Sequence, residues 1–247
     1  MSKTTPLCLL KSNSGSETLL GYDFQSNFEA LARRSEADVV IVSTEEGFSP
    51  LGASRTFFED DLGISYDEEI YPLANWNRFE NERVTLIALA SRRPGSLLRG
   101  IILAPGENCR SYSQFSSAHG HRPHRSYYYN VSYEAIQYAC RTWGAECLAM
   151  AHLCSCNRFH VDMATCHAES LAHFCDEWPT SAPKSFTFSG CCIDPDHFKG
   201  LQSLNGEGQS TSHRSIKVTT ESRGQALLLH LDWKSPTIAL MQQPVAK

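Results

Sequence analysis

The chain has 247 residues, of which 41% are hydrophobic, enough for a sizeable core in one enlarged domain or two small ones. This composition excludes a disordered protein. The formal net charge is −5, and its 22 basic and 27 acidic residues are interspersed, which argues against nucleic acid as a partner.

No stretch of the sequence approaches the ~18 apolar residues of a membrane helix, and the apolar run at 7–10 is shorter than the core of a signal peptide. We therefore expect a soluble, cytoplasmic protein that has no membrane partner. In that compartment its 10 cysteines are expected to be reduced thiols, several of which pack as small hydrophobic residues.

The first part of the chain predicts short strands and one helix. Residues 7–11 and 17–22 flank a turn rich in Ser and Gly, a pattern that predicts an opening hairpin. A capping-box pattern predicts a helix over 26–34. The β-branched run at 39–42 is typical of a central strand that is buried on both faces.

The middle of the chain begins with a loop over 44–52 and a short helix over 55–61. After a poorly patterned segment, residues 84–90 predict a strand. A turn-rich connection then favours antiparallel pairing of that strand with the buried strand at 100–104.

A polar loop extends to about residue 130 and is followed by a predicted helix over 133–142, which Gly144 ends as a C-cap residue. Residues 147–151 predict the next strand. Asp162 is then expected to cap a helix. One face of this helix carries Met163, Ala164, His167, Ala168, Leu171, Ala172 and Cys175.

The pattern becomes β-rich after residue 184. Residues 186–192 predict a strand, and 215–220 with 225–233 predict a hairpin. We therefore divide the chain into an α/β domain at 1–183 and a β-rich extension at 184–247 that packs on the same domain. The predicted fold class is α/β, a three-layer mixed sheet flanked by helices.

The candidate site follows from this arrangement, because ligands bind outside the carboxyl ends of the strands in an open α/β sheet. The loops that leave Val42, Ala104 and Ala151 are expected to meet there. Their polar side chains can hydrogen-bond a sugar or perform acid–base work. They are Glu45, Glu46, Glu107, Asn108, His152, Cys154, Cys156, Asn157 and His160. The alternative is an ordinary set of solvated loop residues.

A family resemblance supports the same location. The run ADVVIVS at 37–43, followed by FSPLG at 48–52, resembles the divergent macro-like modules found beside bacterial signalling domains. Residues 145–174 resemble the strand, loop and helix that close such folds. The resemblance covers roughly 36–176. It implies that a nucleotide-type small molecule, ADP-ribose or a related nucleotide sugar, is bound or processed.

The strand-exit loops supply the expected site residues. The expected ligand-binding residues are Ser43, Thr44, Gly47, Gly106, Glu107, Asn108, Cys156 and Asn157. If the protein is an enzyme, we expect a hydrolase with Glu45, His152, Cys154 and His160 as catalytic residues. No cofactor is expected.

The chain departs from the family in both of its ligand loops, which lack the expected Asn-rich and Gly-rich runs. A phosphate cradle is easiest to build from glycine backbone. The departure keeps two alternatives open. One is a protein-interaction scaffold that retains the fold and binds a protein partner. The other is a thiol- or zinc-dependent hydrolase.

Two further local patterns bear on function. His152, Cys154, Cys156 and His160 are all potential zinc ligands, but their spacing differs from that of familiar zinc fingers, and we predict no metal site. The loop at 119–125 has three histidines and two arginines, which suit a phosphate or carboxylate, and tyrosines at 127–129 that can stack on a base. Its alternative is a surface loop with a tyrosine-packed base.

Overall fold

The computed structural model describes residues 5–11, 15–23, 37–44, 48–49, 55–72, 86–90, 97–105, 125–151, 160–189, 227–232 and 237–240. The described strands are β1 Thr5–Lys11, β2 Glu17–Asp23, β3 Val39–Thr44, β4 Ile87–Ala90, β5 Gly100–Pro105, β6 Cys147–Ala151, β7 Ser185–Ser189, β8 Leu227–Asp232 and β9 Thr237–Leu240. The α-helices within these ranges are α1, Arg125–Gln137, and α2, His160–Glu177.

The strands form one mixed sheet in the order β1-β2-β7-β6-β3-β5-β4-β8-β9. The five neighbouring strands β2, β7, β6, β3 and β5 are all parallel. Strands β1 and β4 run antiparallel to their neighbours β2 and β5, and β8 runs parallel to β4. A mixed sheet of this kind, flanked by helices, confirms the predicted fold class.

Strand β3 lies inside the sheet, between β6 and β5, and its side chains at 39–42 are apolar on both faces. Val39 and Ile41 pack into one hydrophobic cluster with residues of α1 and α2. Val40 and Val42 pack into a second cluster on the opposite face. Every residue of β3 is buried, as the β-branched run predicted.

The second cluster is closed by two π-helical turns, Phe57–Asp61 and Tyr66–Ile70. Phe57, Phe58 and Tyr66 are each fully buried there. The short helix predicted at 55–61 is therefore confirmed. The second π-helical turn lies in the segment that the sequence pattern had left unassigned.

Helix α1 begins earlier than the predicted residue 133. It starts at Arg125 and continues through a π-helical turn, Tyr138–Thr142. Gly144 ends it with φ of 60°, and Ala145 N–H donates to the carbonyl of Ala139 at 3.0 Å. The predicted glycine stop is confirmed, because this left-handed conformation favours glycine.

Helix α2 begins at His160, so the prediction that Asp162 caps it was wrong, since that residue lies inside the first turn. The predicted apolar face is largely present. His167, Leu171 and Cys175 are buried against the sheet and α1, and Ala172 is partly buried.

The N-terminal hairpin is confirmed by the antiparallel pair β1 and β2, whose register joins Lys11 with Glu17. The predicted strand at 84–90 is described as β4, and it pairs antiparallel with β5 as expected. The helix predicted at 26–34 lies outside the described residues.

The strands after residue 184 belong to the same sheet. Strand β7 lies between β2 and β6, and β8 and β9 lie beyond β4. Residues 215–220 lie outside the described residues, and β8 pairs antiparallel with β9. The division of the chain at residue 183 stays a prediction. In the part of the chain described, no helix is both long and apolar enough to cross a membrane.

Candidate functional site

The carboxyl ends of the parallel strands lie along one edge of the sheet, which we call the exit edge. The register pairs Thr44 at the end of β3 with Pro105 at the end of β5. It also pairs Ala151 at the end of β6 with Ser189 at the end of β7. The chain therefore leaves β3, β5 and β6 at this edge, as the site prediction required.

Two predicted ligand-binding residues, Ser43 and Thr44, form the last two positions of β3. Each is 1% exposed. The Thr44 hydroxyl donates a hydrogen bond to the carbonyl of Ala104 on β5 at 3.4 Å. The end of β3 is thus tied to its neighbouring strand.

The chain is described again at Phe48, whose backbone is unusual. Its φ is 62°, a left-handed value that a bulky residue rarely adopts. The phenyl ring is buried in the second hydrophobic cluster together with Val42. The carbonyl of Phe48 accepts a hydrogen bond from the Tyr66 hydroxyl at 2.7 Å. Thr44 and Phe48 are therefore each held by a hydrogen bond to another segment.

The turn that carries Tyr66 begins at Ser65. The Ser65 hydroxyl accepts a hydrogen bond from Glu68 N–H at 3.3 Å, and Glu69 Oε1 accepts one from Ser65 N–H at 3.2 Å. This reciprocal arrangement is a variant of the capping box. The Ser-x-x-Glu spacing at 65–68 is a sequence signal for this turn, and the prediction for this segment overlooked it.

His160, a predicted catalytic residue, is the first residue of α2. The last turns of α2 lie beside the start of β2, since Ser16 Oγ donates to the carbonyl of Cys175 at 3.5 Å. Thr18 Oγ1 likewise donates to the carbonyl of Pro183 at 2.7 Å. Because α2 ends at the edge opposite to the exit edge, its N-terminus points toward the exit edge.

The structure thus brings Ser43, Thr44 and the start of α2 toward one edge of the sheet. The remaining predicted site residues lie outside the described residues, so their roles stay predictions. They are Glu45, Gly47, Gly106, Glu107, Asn108, His152, Cys154, Cys156 and Asn157. Glu46 also lies there.

Asp23 also lies at the exit edge, although the predicted site did not contain it. Asp23 ends β2, and the register places it opposite Ser189 at the end of β7. Its position at the edge depends on the insertion of β7 between β2 and β6, a non-local pairing that no local pattern indicates.

We call the opposite edge the entry edge. There the carboxylate of Asp38 links the starts of neighbouring strands. Its two oxygens accept hydrogen bonds from Glu146 N–H at 2.9 Å and Cys147 N–H at 3.0 Å. Arg99 Nη2 donates to the same carboxylate at 2.6 Å. Asp38 therefore joins the beginnings of β3, β5 and β6, a structural role far from the exit edge.

A serine–histidine pair is buried between the two helices. Ser132 Oγ on α1 lies 2.6 Å from Nδ1 of His167 on α2, and neither side chain is exposed. Burial lowers the pKa of His167 to about 3. The imidazole is therefore neutral near pH 7. With no access to solvent, this pair is a packing feature.

The tyrosines predicted to stack on a base belong to α1. Tyr128 and Tyr129 are buried, and the Tyr129 hydroxyl lies 2.6 Å from Nδ1 of His173 on α2. These contacts join the helices, in agreement with the packing alternative for the tyrosines. The loop at 119–124 lies outside the described residues. Among the residues described, no group of three His, Cys, Asp or Glu side chains is placed to hold a metal ion.

Comparisons with known proteins show the fold. No family model and no curated protein matches the sequence. A mutant of the Oceanobacillus iheyensis macrodomain has a TM-score of 0.51 at 8% identity, covering 79% of this chain and 94% of that one. The Trypanosoma brucei macrodomain in complex with ADP-ribose has a TM-score of 0.50 at 9% identity, covering 82% and 75%. The fold of this chain is macrodomain-like, as the resemblance implied.

Proposed function

We propose that this protein binds ADP-ribose or a related nucleotide sugar in the loops that leave the exit edge. The observation that carries the proposal is the convergence of the β3, β5 and β6 ends at one edge of a macrodomain-like sheet. The Trypanosoma brucei macrodomain of similar fold holds ADP-ribose. Ligands of open α/β sheets bind at such an edge.

The N-terminus of α2 supplies a means of holding the ligand's phosphates without a glycine-rich loop. Helix α2 has 18 residues and begins directly after the loop that leaves β6. The unpaired N–H groups of a first helical turn, together with the helix dipole, favour an anion. The start at His160 therefore supports diphosphate binding in a loop that lacks glycines.

The remaining parts of the ligand are assigned by chemistry to the loops. Glu107, Asn108 and Asn157 supply carboxylate and amide groups that suit ribose hydroxyls. Ser43, Thr44, Gly47, Gly106 and Cys156 complete the proposed binding set. Asp23 adds a carboxylate position at the β2 end of the same edge.

Hydrolysis of the bound ligand is a second, separate part of the proposal. Glu45, His152 and His160 are residue types that transfer protons near neutral pH, and Cys154 is a potential thiolate nucleophile. A hydrolase would use one of the first three to activate water against a phosphate or glycosidic bond. Release of ADP-ribose from a modified protein or of AMP from ADP-ribose tests this part separately.

Calorimetric titration with ADP-ribose, ADP and AMP tests the binding proposal. We expect saturable binding of ADP-ribose that weakens about tenfold in Asn157→Ala, which corresponds to about 1.4 kcal/mol. The matched control is Lys184→Gln, whose side chain is 72% exposed near the entry edge and pairs with Glu146. This control should bind normally.

Absence of binding to all three nucleotides by the folded protein would refute the proposal. That result would favour the protein-interaction scaffold. The hydrogen bond between Thr44 and Ala104 supports this alternative, since it engages a hydroxyl that the site prediction assigns to the ligand.

A further inference from the structure

Phe48, which follows β3, and Tyr66 each have an unusual backbone feature, and one hydrogen bond joins the two residues. Phe48 holds a left-handed φ of 62° although it is a bulky residue. Its partner Tyr66 lies at the start of a π-helical turn. Left-handed backbone at non-glycine residues and π-helical turns both cost free energy, and both concentrate at functional sites.

From this geometry we infer that Tyr66 is a positioning residue, which through its hydroxyl fixes the backbone of Phe48, next to the predicted site loop at residues 45–47. The inference rests on the proposed function for its consequence, because this loop contains Glu45 and Gly47. Tyr66 itself is fully buried, and its hydroxyl contacts the chain after β3 at the Phe48 carbonyl. It therefore acts on a ligand through the backbone of Phe48.

The hydrogen bond is well suited to this role. Tyr66 Oη donates to the carbonyl of Phe48 at 2.7 Å, a normal length for an O–H donor. Because both groups are buried, an unpaired Phe48 carbonyl would be costly. The bond therefore favours the left-handed conformation of Phe48.

Tyr66 is held by a contact of its own ring and by an ion pair of the next residue. Its ring meets the Phe58 ring edge to face, with centroids 5.2 Å apart. The next residue, Asp67, accepts a two-pronged pair from Arg55, with distances of 2.5 Å and 3.0 Å. A two-pronged guanidinium–carboxylate pair fixes orientation as well as distance. The ring contact and the neighbouring ion pair thus hold Tyr66 where its hydroxyl meets the Phe48 carbonyl.

The variant Tyr66→Phe removes the hydroxyl and keeps the ring. Its matched control is Tyr129→Phe, which removes another hydrogen-bonded hydroxyl from a buried tyrosine, at the α1–α2 contact. Both variants should lose similar thermal stability. Only Tyr66→Phe should speed amide hydrogen exchange in a peptide covering residues 44–49, and only it should weaken ADP-ribose binding, about five- to tenfold.

The two measurements separate the inference from the proposed function. Unchanged exchange at 44–49 in Tyr66→Phe, or an equal change in Tyr129→Phe, overturns the positioning role. Faster exchange only in Tyr66→Phe, in a protein whose wild type binds no ADP-ribose, supports the positioning role and refutes the function. If Tyr66→Phe does not fold, Asp67→Asn replaces it. This variant weakens the brace from the surface and should speed the same exchange less, and no change would overturn the inference.

Discussion

The two edges of the sheet are built from the same strands but in opposite ways. At the entry edge, one carboxylate accepts backbone N–H groups from two residues and a guanidinium from a third. At the exit edge, the carbonyl of Phe48, which follows the predicted site residues after β3, accepts a hydrogen bond from Tyr66. Among the described residues, those at the entry edge stabilise the sheet, and the exit edge is where we propose that the ligand binds.

The largest effect is expected from Asp38→Ala, which removes the acceptor that closes the entry edge. The N–H groups of Glu146 and Cys147 lose their partner, and Arg99 loses its ion pair. We expect a loss of about 3–4 kcal/mol in the free energy of unfolding, measured by urea denaturation. Asp38→Asn keeps one carbonyl oxygen as an acceptor, so its free energy of unfolding should fall by less.

The ADP-ribose affinity of Asp38→Asn tests whether the entry edge contributes to ligand binding. At a temperature where Asp38→Asn is folded, its ADP-ribose affinity should equal that of the wild type. A loss of affinity without unfolding would contradict the division between the edges.

Gly100→Ala should give the next largest effect, because Gly100 at the start of β5 touches the ring of Trp143. A Cβ atom there would lie 2.3 Å from Cζ3 of that ring. We expect a loss of about 2–3 kcal/mol from overpacking, seen as a lower Tm. The double variant Gly100→Ala with Trp143→Leu should recover part of the loss. No recovery would show that the cost comes from elsewhere.

Acid should destabilise the helical layer through His167. Burial holds its folded pKa at about 3, below the unfolded value of 6.5, so the folded chain binds fewer protons. This contribution to stability is complete above pH 6.5 and is lost as the pH falls toward 3. By pH 5 the loss amounts to about 2 kcal/mol.

The test is the pH dependence of Tm between pH 7 and pH 5. His167→Gln should flatten it relative to the wild type. Ser132→Ala keeps the imidazole, so it should lower Tm while it retains the acid slope. An unchanged slope in His167→Gln would show that other groups cause the acid sensitivity.

The candidate site could be predicted from the sequence only in its location. The ends of β3, β5 and β6 followed from apolar runs bounded by polar residues, and parallel strands place such ends together. The anchor at Phe48 could not be predicted, since Tyr66 is 18 residues away and the bond between them depends on tertiary packing. The same holds for the Asp38 carboxylate, which accepts hydrogen bonds from residues 108 and 109 positions later.

The sequence by itself determined the elements whose signals are local. These include the buried strand at β3, the stop of α1 at Gly144 and the opening hairpin, each set by periodicity or by a residue's own backbone preference. Tertiary structure alone decided the strand order, the early start of α1 and the brace on Phe48. Each depends on burial between segments far apart in sequence, and burial free energy is set by the partners that the fold supplies.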